Sequence, residues 1–118
     1  MSEKKYQWFK IAEGKNQLSF DDNNLSVIEV NNKKITIAKY RDELFACAYA
    51  CPHASGILAE GYIDALGNIV CPVHRYKYNL SNGRNVTGEG YYLKTFPLKI
   101  NEEGIFVGFE ERHFLDFL

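Results

Sequence analysis

Cys51, His53, Cys71 and His74 are the residues of this chain whose types and spacing point to chemistry. They fall in two pairs, Cys51-Pro52-His53 and Cys71-Pro72-Val73-His74, with the seventeen residues 54–70 between them. Each pair offers one soft thiolate and one borderline imidazole. Cys51 and His53 are two apart, so an extended loop turns both side chains to one side. Cys71 and His74 are three apart, a separation that a turn closes. Pro52 and Pro72 follow the cysteines and stiffen each loop by fixing φ. Gly56, Gly61 and Gly67 supply backbone freedom for close loop packing. Matched pairs of this kind suit a metal centre with two unlike halves, a [2Fe–2S] cluster in which two histidines replace two cysteines on one iron. The work of such a centre is to move one electron.

The same four residues bear on other metals as well. Two of the three cysteines and two of the three histidines fall into the pattern, which argues against coincidence. A tetrahedral zinc site with two Cys and two His is chemically legitimate and stays open as an alternative. Zinc fingers, however, group Cys with Cys and His with His, whereas each loop here carries one of each. A four-cysteine cluster lacks its fourth cysteine. A blue-copper site lacks its axial methionine, because Met1 is the only one.

The 118 residues predict one domain, and 46% hydrophobic content with eight Phe and eight Tyr provides a modest core. A net charge of -1 argues against a broad basic nucleic-acid surface. Glu102, Glu103, Glu110, Glu111 and Asp116 face only Arg112 in the last stretch, an acidic end read as a solvated edge. Neither a signal peptide nor an apolar run long enough for a membrane span is recognisable. With an odd cysteine count and no export signal, reduced or metal-bound thiols and a cytoplasmic location are expected.

Strand signals dominate the flanks. Residues 7–12, 25–30, 34–40 and 43–50 read as strands, with Asn31-Asn32 as a hairpin turn and Arg41-Asp42 as the next connection. Residues 94–101 and 104–109 flank a turn at Glu102-Glu103. The stretch 51–80 is rich in Gly and Pro, with a short helical turn near 54–60. The expected organisation is a single domain, 1–118. Residues 1–46 and 82–118 form an antiparallel β base, and 47–81 form a small inserted lobe that carries the ligands. The lobe is too small to fold on its own burial, so metal binding would supply part of its stability.

The stretches Cys51-Pro-His-Ala-Ser-Gly-Ile-Leu-Ala-Glu-Gly61 and Cys71-Pro-Val-His-Arg-Tyr-Lys-Tyr-Asn-Leu-Ser-Asn-Gly83 resemble the two ligand loops of the Rieske [2Fe–2S] family. Residues 95–100 are similar to that family's closing strand, and the resemblance spans roughly residues 5–109. It implies an all-β fold of three antiparallel sheets with the ligand lobe at one tip. It also implies one cluster, with Cys51 and Cys71 on one iron and His53 and His74 on the other. Respiratory-complex members carry an extra Cys in each loop, joined as a disulfide; Gly56 and Val73 stand there in this chain. Their Ser two residues after the second His is here Tyr76, so a hydrogen bond to a bridging sulfide is expected to be missing. Tyr78 occupies the place of a Tyr that donates to a ligand sulfur, where oxygenase-type ferredoxins more often have Phe. Arg75 replaces a small residue, and its charge would favour the reduced state.

Two histidines raise the potential for a simple reason. Two ferric ions, two sulfides and two thiolates sum to zero charge, whereas four thiolates leave the oxidised centre doubly negative. An electron enters the neutral centre at less cost. Family potentials span about −150 to +300 mV. Fewer donors to sulfur place this chain toward the low end, and Tyr78 and Arg75 lift it above the bottom. A midpoint above about +200 mV would contradict that expectation. Imidazole on ferric iron becomes more acidic, so at high pH electron uptake should couple to protonation of His53 or His74.

Cys47 reads as a buried structural thiol, His113 as a surface residue, and Trp8 and most other aromatic residues as core. Tyr91-Tyr92 is expected beside the ligand lobe, and Gly88-Glu89-Gly90 reads as a loop. No catalytic set stands out, so the reading is an electron carrier and not an enzyme. It would pass electrons from a flavin-dependent reductase to an oxygenase or similar acceptor, with no nucleic-acid or membrane partner. The alternative is a small subunit of an assimilatory nitrite reductase; a zinc module ranks third.

Overall fold

The computed structural model describes residues 5–53 and 55–111; Ala54, Arg112, His113 and Asp116 lie outside the described residues. Ten strands follow in order: β1 (Tyr6–Ala12), β2 (Leu25–Val30), β3 (Lys33–Tyr40), β4 (Glu43–Ala48), β5 (Tyr62–Ile63), β6 (Asn68–Val70), β7 (Lys77–Asn79), β8 (Thr95–Phe96), β9 (Leu98–Asn101) and β10 (Gly104–Glu110). They form three antiparallel sheets, ordered β1-β10-β9, β2-β3-β4-β8 and β5-β6-β7. The fold is thus all-β, as expected.

Turn chemistry sets the second sheet. Asn31 and Asn32 both take positive φ, 52° and 63°, the left-handed pair that a tight hairpin needs and that Asn tolerates. Arg41 and Asp42 repeat the geometry at 53° and 62°, and the Arg41 guanidinium lies over the Tyr40 ring. Strand β3 shows how one strand serves two cores. Ile35 and Ile37 pack into the cluster of Val30, Ile105 and Val107, while Ala38 joins Leu25 and Cys47 in the cluster beneath the ligand loops. Thr36 is fully buried, and its hydroxyl donates to the Ala48 carbonyl at 3.0 Å.

Two boundaries depart from expectation. Residues 94–101 form two strands, not one, divided at Pro97. Before it, Thr95 and Phe96 pair with Cys47 and Ala46 of β4; after it, Leu98 to Asn101 pair with β10. Proline has no N–H for a ladder, so the chain changes sheets there. Strand β4 stops at Ala48, and Ala50 makes only a single bridge to Ile57. The helical turn expected over 54–60 is a single 3-10 turn, Leu58–Glu60.

Strands β5 to β7 form a sheet of their own between β4 and β8 in the chain. Its core is not separate. Leu58, Ile69, Tyr78, Leu80 and Leu93 pack in one cluster with Leu25, Ala38 and Cys47 of the neighbouring sheet. Gly61 fixes the approach, because a Cβ there would lie 1.9 Å from the Val70 carbonyl oxygen. Gly61→Ala is therefore expected to force β5 from β6 and to destabilise the protein by about 2 kcal/mol or more, read from denaturant unfolding. Unchanged stability would contradict this packing.

Cys47 is 1% exposed. Burial pushes its thiol up to about 12, against a smaller downward pull from the Thr36 hydroxyl. Because folding raises this pKa from 9.0, the stability associated with the neutral thiol is complete below that pH and is lost as pH rises toward 12. At pH 8, iodoacetamide is expected to leave Cys47 unmodified in the native protein and to label it in urea, as peptide mass mapping would show.

Candidate metal centre

Each ligand loop closes on itself through the backbone. In the first, the Cys51 N–H donates to the Gly56 carbonyl at 2.8 Å and the Ser55 N–H to the Cys51 carbonyl at 3.0 Å. In the second, the Cys71 N–H donates to the Tyr76 carbonyl at 2.9 Å. His74 and Arg75 reverse the chain between β6 and β7 with φ of 63° and 62°. Left-handed backbone costs a non-glycine residue about 1 kcal/mol, and such strain collects at functional sites.

The loops meet at Gly56. A Cβ there would lie 2.8 Å from Val73 Cγ2 and 2.9 Å from Cys71 Sγ, so only hydrogen fits. The positions of the respiratory-type disulfide are thus in contact, with Gly and Val in place of a crosslink. Cys47, Cys51 and Cys71 form no disulfide.

This contact sorts the donors. Each loop carries one thiol and one imidazole, yet the fold brings like to like. Cys51 and Cys71, 2% and 0% exposed, interact with each other at the buried floor. His53 and His74 lie together at the outer edge, ring centroids 5.2 Å apart, with His53 half-buried and His74 exposed. The Nδ1 of His53 is buried and has no hydrogen-bond partner, an arrangement that calls for one. Among the described residues no three His, Cys, Asp or Glu side chains gather as a site for a single ion. A two-iron cluster asks for no such convergence, since each iron takes its own pair. Two buried sulfurs and two imidazoles, one of them with an orphaned buried nitrogen, therefore fit a [2Fe–2S] centre.

Tyr78 is fully buried with its Oη 3.4 Å from Cys51 Sγ, and its O–H donates when the sulfur is a thiolate. Burial first, and then Cys51, push the Tyr78 phenol up. Burial likewise raises the Cys71 thiol to about 11; Cys51 adds to the rise and the Val73 N–H opposes it. Metal binding at these sulfurs must displace protons.

Aromatic rings cover the imidazole edge. The Tyr76 ring lies 4.1 Å from the His53 ring, and Tyr91 lies 5.3 Å from His53 and stacks at 27° on Tyr76. Of the expected pair, Tyr91 packs against His53 and Tyr76 while 40% exposed, and Tyr92 is 66% exposed. Arg75 is exposed beside His74. A surface groove of about 740 Å³, lined by Phe45, Leu80, Leu93 and Phe96 among others, includes none of the four candidate ligands.

Sequence reasoning passed over Glu89. Its carboxylate accepts from the Thr87 hydroxyl and from Asn85 Nδ2 at 3.0 Å, and its N–H donates to Asn85 Oδ1 at 2.6 Å. The Thr87 hydroxyl in turn accepts the Lys77 N–H of β7 at 3.2 Å. The hydroxyl of Thr87 first, then Asn85 and the nearby His53, hold the Glu89 carboxyl below its usual range against the pull of burial. The only signal in the sequence was the flanking glycines.

Comparison with known proteins agrees with this chemistry. The family profile described as Rieske [2Fe-2S] domain matches residues 7–97. The ferredoxin component of the alkene monooxygenase system of Xanthobacter autotrophicus is 26% identical over 89 residues, 75% of this chain and 73% of that protein. The solved ferredoxin of carbazole 1,9a-dioxygenase from Nocardioides aromaticivorans superposes with a TM-score of 0.68 at 18% identity, covering 90% of this chain and 97% of that one. A Mycobacterium tuberculosis protein described as an NADH-dependent nitrite reductase small subunit superposes with a TM-score of 0.73 at 14% identity, covering 88% and 96%. With a profile match across most of its length and one Rieske-type [2Fe–2S] cluster as the implied cofactor, the chain belongs to the Rieske [2Fe–2S] domain family.

Proposed function

We propose that Cys51 and Cys71 hold one iron of the cluster, that His53 and His74 hold the other, and that the chain is a one-electron carrier and not itself an enzyme. The observation that carries this reading is the sorting of mixed loops into a buried sulfur floor and an imidazole edge. Bound there, the cluster accepts and returns one electron. The residues supply the rest. Buried cysteines keep water from the sulfur end, and exposed His74 gives a partner a short approach at the other. Tyr78 stabilises negative charge on Cys51 Sγ through its hydroxyl. Tyr76, with its ring against His53, gives the imidazole edge an apolar flank where the respiratory-complex members have Ser.

The partners we propose are a flavin-dependent reductase as donor and an oxygenase or similar acceptor, because the curated relatives are ferredoxin components of oxygenase systems. A cytoplasmic location fits cysteines held in no disulfide. Among the described residues no helix is long and apolar enough to cross a membrane. The likeness to nitrite reductase small subunits supports a second reading, in which the chain serves as a cluster-bearing subunit. Co-purification with a large sirohaem-containing chain would favour that reading over a diffusing carrier.

Anaerobically purified protein is expected to be EPR-silent when oxidised. With dithionite it should show a rhombic spin-half signal with a mean g below the free-electron value, alongside equal iron and acid-labile sulfide. Zinc without iron or sulfide would overturn the ligand assignment. Tyr78→Phe removes a donor to the Cys51 sulfur without changing the ring. Its midpoint potential is expected to fall by roughly tens of millivolts, equivalent to about 1 kcal/mol. A redox titration showing no fall would remove Tyr78 from the tuning groups.

A further inference from the structure

The loop between β7 and β8 is held more tightly than a surface connection needs. Glu89 sits between Gly88 and Gly90, with φ of 90° and 84°, and nothing would crowd a Cβ at either glycine. The glycines are there for the turn they permit, not for space. That turn folds the Glu89 carboxylate inward onto Asn85 and Thr87, while its neighbours on both sides are exposed. Through Thr87 and Asn85 the loop is tied to Lys77, which follows Tyr76 in the chain. Two residues beyond Glu89, Tyr91 packs on both His53 and Tyr76.

We propose that Glu89 is a tuning and positioning residue of the metal centre: its tethered carboxylate fixes one negative charge beside the His53–Tyr76–Tyr91 group and lowers the reduction potential. This rests on the ligand assignment proposed above. An electron arriving next to a fixed negative charge does work against it. A mobile surface carboxylate would be screened by solvent and salt. Glu89 is half-buried, its carboxylate held by two hydrogen bonds and its N–H by a third, so its charge is fixed in place. Arg75, exposed and next to His74 in the chain, carries the opposite sign. The same tether seats Tyr91 against His53, which makes the loop a cover as well as a charge.

Glu89→Gln separates the two roles, since the amide oxygen still accepts from Thr87 and Asn85 while the charge is gone. In the cluster-loaded protein its midpoint is expected to rise, with reduction favoured about tenfold, or about 59 mV for one electron. Its EPR g-values should match the wild type. Thr87→Val keeps the charge but removes the hydroxyl that donates to Glu89 and accepts from Lys77, leaving the Asn85 tie; it should raise the midpoint less and perturb the signal as the cover loosens. Glu89→Gln with a full cluster and an unmoved midpoint would overturn the proposal, even if thermal stability fell, because that is the pattern of a purely structural loop residue. Wild-type protein without the reduced-state signal would overturn the ligand assignment itself, a result distinct from an unmoved midpoint.

Discussion

The contact of Gly56 with Cys71 Sγ and Val73 is the constraint on which the rest of the site depends. Two loops that each carry one sulfur and one nitrogen must meet so that sulfur faces sulfur. Only a residue without a side chain lets the first loop come that close. Once the sulfurs are at the floor, the histidines two and three residues further on can only reach the edge. Each loop's backbone bonds then hold the arrangement, and the left-handed turn at His74 and Arg75 is the local strain it carries.

That floor is not built by the lobe alone. Cys51 and Cys71 share a cluster with Leu25 and Ala38 of the second sheet, and Cys47 lies among them. Strand β3 reaches both cores because its alternate residues face opposite ways. A shift of one residue in its register would exchange Ile37 for Ala38 and ruin both faces. The paired asparagines and the Arg41-Asp42 turn are what hold that register, so two surface turns fix the floor of a buried site.

The Cys/His pairs and the flanking hairpins were legible in the sequence because they are carried by residue types with few alternatives: Cys, His, and Asn pairs at positive φ. The lobe sheet was not. Strands of two or three residues leave no period to read. The division at Pro97 was visible as a proline, yet alternating residues on both sides masked the change of sheet. Tyr76 could be placed by resemblance, but the ring group it forms with His53 also takes in Tyr91, fifteen residues away in the chain. Glu89 was the least visible. Its environment is made by Asn85, Thr87 and Lys77 together, and no one of them marks a site when read alone.

The two imidazoles do not stand in the same surroundings, and this bears on how a carrier meets a partner. His53 is flanked by Tyr76 and Tyr91 and faces the loop that holds Glu89, whereas His74 is exposed beside Arg75. In the proposed assignment both belong to the same iron, so they share its charge but not its solvent. An approaching protein can displace water from His74 without moving any part of the fold. His53 is half-buried, with the Tyr76 and Tyr91 rings against it. The covered histidine is therefore suited to keeping the centre's electrostatics constant between encounters, and the open one to making the encounter short. The same fold provides both conditions because one loop carries a cover and the other ends in a turn to solvent.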